Sequence, residues 1–222
     1  MSAANYPKAV ELLSKLESRY PFGRWAQQAQ IEIAWAHYKD GERALALSAI
    51  DRFLRLHPEH PALDYALYLK GLVNFNEQQG LIAWLGRQDL AERDLQAARE
   101  SFDTFKQLIT RFPESKYAPD AEARMTYLVT SMARGEMLIA RYYFQRGAYV
   151  AAANRAQEVV RKYDRAPAVE DALAILVHSY DKLGMTELRD DARRVLDRNF
   201  PNSEAMVRVT ASDDRRWWQV WR

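Results

Sequence analysis

His57 and His60 are the one histidine pair in this chain with the H-x-x-H spacing of a metal site. A zinc site of that kind needs both imidazoles on one helix face and further ligands beside them. Pro58 and Pro61 interleave with the pair and break any helix there, so the two rings need not share a face. His57 reads instead as a packing residue. His37 and His178 lack a carboxylate four residues on. Cysteine is absent, which removes disulfides and thiol chemistry. The patterns G-x-x-x-x-G-K-[ST], G-x-S-x-G and G-x-G-x-x-G do not occur either. Carboxylates lie scattered beside arginines, as on solvated helix faces. The expectation is a non-enzymatic chain with no cofactor and no metal.

Binding chemistry is better represented. Tyr20-Pro21-Phe22-Gly23-Arg24-Trp25 is an aromatic-rich turn. It is either an ordinary corner with Tyr20 in the core, or the mouth of a groove where Phe22 and Trp25 grip an extended aromatic peptide. Gly80-Leu81-Ile82-Ala83-Trp84-Leu85-Gly86 is an apolar stretch between glycines. It either folds back over its own helices or marks a partner site. The last residues, Arg215 to Arg222, hold Trp217, Trp218 and Trp221. They are expected to cap the final repeat, to enter a headgroup layer, or to fill a partner's pocket.

The elements that carry these residues follow from an internal repeat. An aromatic residue precedes proline at Tyr20-Pro21, His57-Pro58, Phe112-Pro113 and Phe200-Pro201, with Tyr163-Asp164 as a degenerate copy. Five residues before the second member stand Leu16, Phe53, Leu108, Val159 and Leu196. Twelve before stand Ala9, Ala46, Ser101, Ala152 and Arg189; eight after stand Ala29, Ala66, Ala121 and Ala172. Ala46, Ile50, Phe53 and His57 therefore form one stripe of a helix that ends at the proline. Gly41, Gly147 and Gly184, each 17 residues before an anchor, mark the turn into that helix.

Each repeat is thus helix, turn, helix, turn, and resembles the tetratricopeptide unit. The predicted fold is all-α: a tetratricopeptide-like array of about five antiparallel helix pairs, the first truncated, forming a curved α-solenoid. The intervals Pro21 to Pro58 and Asp164 to Pro201 are each 37 residues, whereas the two between them are 55 and 51. The first excess fits a loop inserted at Gln78–Arg93. The second fits a lengthened helix, roughly Pro119 to Gln145, linking two sub-arrays. The expected organisation is N-terminal repeats over 1–113, a linking segment over 114–146, C-terminal repeats over 147–211 and the tryptophan-rich tail over 212–222.

The 222 residues carry a net charge of +2, which gives no nucleic-acid footprint. No apolar run approaches the roughly 20 residues that span a bilayer, and Met1-Ser2-Ala3-Ala4 lacks the features of a signal peptide. Ala4 stands where the spacing puts the first turn glycine. The expectation is a chain that starts mid-repeat, a soluble truncated form of a longer protein.

Several segments together resemble one family. They are Arg19 to Gly23, Ala49 to Pro58, Asp64-Tyr65 through Gly71-Leu72, and Tyr142 to Tyr149 followed by Asn154-Arg155. With the insert after Asn76 and the long helix, their order is similar to the BamD family, the repeat lipoproteins of the outer-membrane β-barrel assembly complex. The resemblance implies a lipid-anchored scaffold at the periplasmic face of the outer membrane. It implies docking of the C-terminal repeats on the periplasmic domains of the barrel-forming subunit, alongside other assembly lipoproteins. Arg155 matches the family arginine that pairs with an acid there, and Arg146 and Tyr149 would flank it. The N-terminal repeats would receive the aromatic-ended C-terminal signals of unfolded outer-membrane proteins, through Tyr20, Phe22, Trp25 and Tyr65. The family's lipid-bearing cysteine and part of the first repeat have no counterpart in these residues. Two other readings share the repeat: an envelope adaptor coordinating peptidoglycan synthesis with outer-membrane constriction, and a cytoplasmic peptide-binding adaptor.

Overall fold

The computed structural model describes residues 5–75 and 88–210, and of 88–95 the backbone alone. The order is α1 (Tyr6–Arg19), α2 (Arg24–Lys39), α3 (Arg43–Leu56), α4 (Leu63–Asn74), α5 (Gln88–Arg111), α6 (Ala118–Gln145), α7 (Tyr149–Lys162), α8 (Ala168–Lys182), α9 (Thr186–Asn199) and α10 (Ala205–Thr210). Among the described residues there is no strand. The fold is an all-α, tetratricopeptide-like array in which α2/α3, α4/α5, α6/α7 and α8/α9 are the helix pairs of successive repeats.

The anchor aromatics end their helices in one conformation. Tyr20, His57, Tyr163 and Phe200 have φ of −132°, −131°, −129° and −134°. Each donates its backbone N–H to the apolar residue four before it: Leu16, Phe53, Val159 and Leu196, as Phe112 does to Leu108. His57, Phe112, Tyr163 and Phe200 then accept at their carbonyls from His60, Ser115, Ala166 and Ser203, closing a turn with the proline position second. Tyr163-Asp164 makes this turn without a proline, so the degenerate copy is a true repeat. At the fourth turn residue a side chain bonds the backbone two residues on, at the entry to the next helix. His60 Nδ1, Ser115 Oγ and Ser203 Oγ accept from the backbone N–H of Ala62, Tyr117 and Ala205. That bond, rather than metal spacing, accounts for His60.

The glycine turns follow equally simple physics. Gly41, Gly147 and Gly184 have φ of +81°, +75° and +70°, a region that costs an L side chain about 1–2 kcal/mol. Ala29, Ala66, Ala121 and Ala172 are all at most 2% exposed, where any larger side chain would hold the neighbouring helix off.

The chain forms two compact units that divide within α6, between Leu128 and Val129. In the first unit, Phe53 joins Ile31, Leu63 and Ala66, so the residue five before the proline locks three helices. Burying such a side chain contributes about 1.5–3 kcal/mol. Ala34, Ala46, Ile50, Leu69 and Val73 form the adjoining cluster. Helices α4 and α5 meet at Gly71, whose carbonyl accepts from Ser101 Oγ at 2.9 Å. A Cβ on Gly71 would stand 2.3 Å from the Phe105 ring.

In the second unit one core gathers Ala133, Met137 and Ala140 of α6 with α7, α8, α9 and α10. Helix α8 buries residues on every side, from Val169 to Tyr180, because it is packed against its neighbours all round. The units share a repeat-specific latch. Ser115 Oγ donates to Asp64 in the first and Ser203 Oγ to Glu170 in the second, each acid six residues after its anchor.

Helix α6 covers the expected long helix to within one residue at its start. Residues 88–93, expected as loop, form the first turns of α5. The rest of the insert, with Gly80 to Gly86, and the tryptophan tail lie outside the described residues.

Candidate docking and recognition surfaces

Arg155 projects from α7 away from its buried face, which is made by Ala152, Ala153, Ala156 and Val159. Its side chain is 44% exposed, and Nη1 donates to Glu136 Oε2 at 3.1 Å. Beside it lies a depression of about 430 Å³ lined by Tyr143, Ala151, Asn154, Arg155, Gln157 and Glu158. Glu158 is paired with Lys162 and Arg161, which hold its carboxyl below the ordinary range. Arg146 is exposed in the α6–α7 turn with its guanidinium 5.2 Å from the Tyr142 ring centroid. Tyr149, the first residue of α7, is half-buried with its ring edge-on to Phe144 at 5.6 Å. Six residues of helix separate it from Arg155, about 9 Å along the axis and about 120° around it. The three residues therefore neighbour one another in sequence, but Arg155 shares its depression with Tyr143 and Asn154 instead.

At the first corner Tyr20, Phe22 and Trp25 are 54%, 93% and 61% exposed, which rules out the core placement of Tyr20. Gly23, at φ +112°, starts α2 without the turn bond that the other corners make. Arginines lie over two of the rings, Arg19 5.9 Å from Tyr20 and Arg24 4.7 Å from Trp25. These cation–π contacts partly cover the faces of the exposed rings.

Tyr65 belongs to a different arrangement. It sits in the first turn of α4, half-buried, with its ring 5.6 Å from Tyr117. Burial, then the nearby Glu32 carboxylate, pushes its phenol up to about 12. Tyr117 in turn stacks on Tyr68 at 4.7 Å. Tyr68 donates its hydroxyl to Asp120 Oδ2 at 2.7 Å, and Arg124 Nε donates to the same oxygen at 2.6 Å. Burial raises the Asp120 carboxyl, but these two bonds offset that and hold it below its ordinary value. Arg124 also lies 4.7 Å from the Phe75 ring, which packs on Tyr127 at 5.6 Å. The sequence singles out Tyr65 but not the aromatic row around it. The available signal was Asp120 and Arg124 four apart on α6, facing the paired tyrosines Tyr65 and Tyr68 of α4.

A second network escaped the sequence altogether. Arg141 and Arg208 converge on Asp171 at 2.5 Å and 2.9 Å, and Arg208 also reaches Glu170 at 3.0 Å. It ties α10 to α8. His57 accounts for the other anchor cluster: its Nε2 lies 2.9 Å from Gln30 Oε1, and its ring packs on Phe53. Burial first, then His60 and Arg52, lowers its pKa. Among the described residues no group of three or more histidine, aspartate or glutamate side chains is placed to hold a metal. No helix among them is long and apolar enough to cross a membrane.

Comparison with known proteins agrees with the repeat pattern. Residues 1–196 match the model of the YfiO family, described as an outer membrane lipoprotein. Outer membrane protein assembly factor BamD of Neisseria meningitidis serogroup A is 51% identical across all of this chain and 83% of its own length. The proteins of that name from Xylella fastidiosa (strain Temecula1) and Vibrio cholerae are 39% and 34% identical, over 91% and 90% of this chain and 69% and 83% of their own. With a family model spanning most of its length and relatives this similar, the chain belongs to the BamD family of outer membrane protein assembly factors.

Proposed function

We propose that this chain is a non-enzymatic scaffold subunit of the outer-membrane β-barrel assembly machinery. Its C-terminal repeats, over 147–211, dock on the periplasmic domains of the barrel-forming subunit, and other assembly lipoproteins are further partners. Arg155 pairs with an acid of that subunit, while Arg146 and Tyr149 contribute at the neighbouring turn. Its first unit receives the aromatic-ended C-terminal signals of unfolded barrel precursors, through the corner residues Tyr20, Phe22 and Trp25 with Tyr65. The native protein is held at the periplasmic face of the outer membrane by a lipid.

The observation that carries docking is Arg155 itself, a half-exposed cation beside an open depression and off the buried face of α7. Truncating one partner of a buried, hydrogen-bonded charge pair costs about 2–5 kcal/mol. The Arg155–Glu136 pair is partly exposed and such pairs contribute about 1 kcal/mol or less, so loss of Arg155 should spare the fold. Phe22 supports the receiving role, because a phenylalanine left 93% exposed is poorly accounted for by packing. The test is replacement in the native organism. The full-length lipoprotein carrying Arg155→Glu, at normal abundance, should leave heat-modifiable barrels depleted from the outer membrane. Normal barrel levels with that variant would overturn the docking role.

A further inference from the structure

In the free chain Arg155 already has a carboxylate. Glu136, on α6, reaches it by a single bond of 3.1 Å from a side chain only 13% exposed. Charge-assisted pairs of this kind are typically shorter, about 2.7–2.9 Å, and arginine often binds carboxylates by two parallel bonds. A clamp that fixed Arg155 would use the second bond; this contact uses one of the five guanidinium donors and leaves the side chain 44% exposed. The other nearby acid, Glu158, is occupied by Arg161 and Lys162. Among the described residues Glu136 is therefore the one acid paired with Arg155.

We propose that Glu136 is an internal stand-in for the docking partner's carboxylate, an inference that rests on the reading of Arg155 as the docking residue. In the free chain Glu136 neutralises an exposed arginine, so that stray acidic surfaces gain little from it. On docking, the incoming acid shares or takes the guanidinium, and two carboxylates close to one cation repel each other. Glu136 thus works against docking and selects for a partner whose other contacts outweigh it. Removing its charge ends the ion pair, leaving at most a neutral hydrogen bond to Arg155. A partly exposed pair of this kind has a small value, so the affinity should rise by roughly two- to fivefold.

The experiment titrates fluorescently labelled periplasmic domains of the same organism's barrel-forming subunit with four folded chains. These are wild type, Glu136→Gln, Glu136→Asp and Arg155→Glu, each at low and high salt, with circular dichroism as the check of folding. Glu136→Gln should bind about two- to fivefold tighter than wild type at low salt, with the gain shrinking at high salt as the charges are screened. Glu136→Asp withdraws the carboxylate by one methylene and should fall between the two, which also covers the case in which Glu136→Gln does not fold. Equal or weaker binding by these variants, with Arg155→Glu still defective, overturns the stand-in and leaves docking intact. Binding by Arg155→Glu at the wild-type level overturns both.

Discussion

Replacing Gly71 by alanine adds one methyl group where α4 and α5 touch. The new Cβ would stand 2.3, 2.6 and 2.7 Å from three atoms of the Phe105 ring, inside van der Waals contact. Phe105 is fully buried, so its ring cannot swing aside into solvent. Overpacking of this kind costs about 1–3 kcal/mol. Separating the helices also stretches the Ser101 Oγ bond to the Gly71 carbonyl, now 2.9 Å, which contributes about 1 kcal/mol. Alanine is the better helix former by up to about 1 kcal/mol, which offsets part of the loss. The net expectation is destabilisation by roughly 1–3 kcal/mol, read as a lower urea midpoint followed by far-ultraviolet circular dichroism. Phe105→Leu should relieve the clash, so the double variant should lose less than the sum of the two single losses. A Gly71→Ala protein as stable as wild type, or strict additivity with Phe105→Leu, would refute the packing account.

Three other perturbations separate the physical terms. Gly135→Ala, in the interior of α6 with open space around it, should stabilise by up to about 1 kcal/mol, whereas Gly147→Ala, at φ +75° with equally open space, should cost about 1–2 kcal/mol; urea midpoints of the two variants test the pair. Tyr65 has its phenol raised from 10 to about 12, so the stability it contributes is present below pH 10 and lost as pH rises through 12. Ultraviolet titration of tyrosinate should show a late phase that Tyr65→Phe removes. Phe22→Ala and Trp25→Ala, at exposed positions, should leave stability within about 0.5 kcal/mol of wild type yet weaken an aromatic-ended precursor peptide in fluorescence anisotropy.

The repeat was legible because each of its residues does one mechanical job. Proline stops a helix, glycine permits a left-handed turn, and alanine sets a close approach; each survives as a residue type at a fixed offset. The length of α6 could be read for the same reason, as the absence of any breaker but Gly135 between Pro119 and Gln145. The start of α5 was missed: Asp89 and Glu92 have capping-box spacing, but the insert was expected as loop through Arg93. Contacts between repeats were the least legible. Tyr68 and Asp120 lie 52 residues apart, and Arg208 and Asp171 lie 37 apart, so only the stacking of helices brings them together. Glu136 was invisible as the partner of Arg155 because one acid among 30 has no special spacing until α6 and α7 pack.

Family membership sets aside the cytoplasmic adaptor and the peptidoglycan-coordinating adaptor, and it leaves docking as the central claim. The most direct measurement is calorimetric titration of this chain with the soluble periplasmic domains of its own organism's barrel-forming subunit, wild type against Arg155→Glu. The account predicts saturable binding by wild type and its loss in an Arg155→Glu chain that retains full helicity. Absence of binding by folded wild type, or equal heats from both chains, would contradict it.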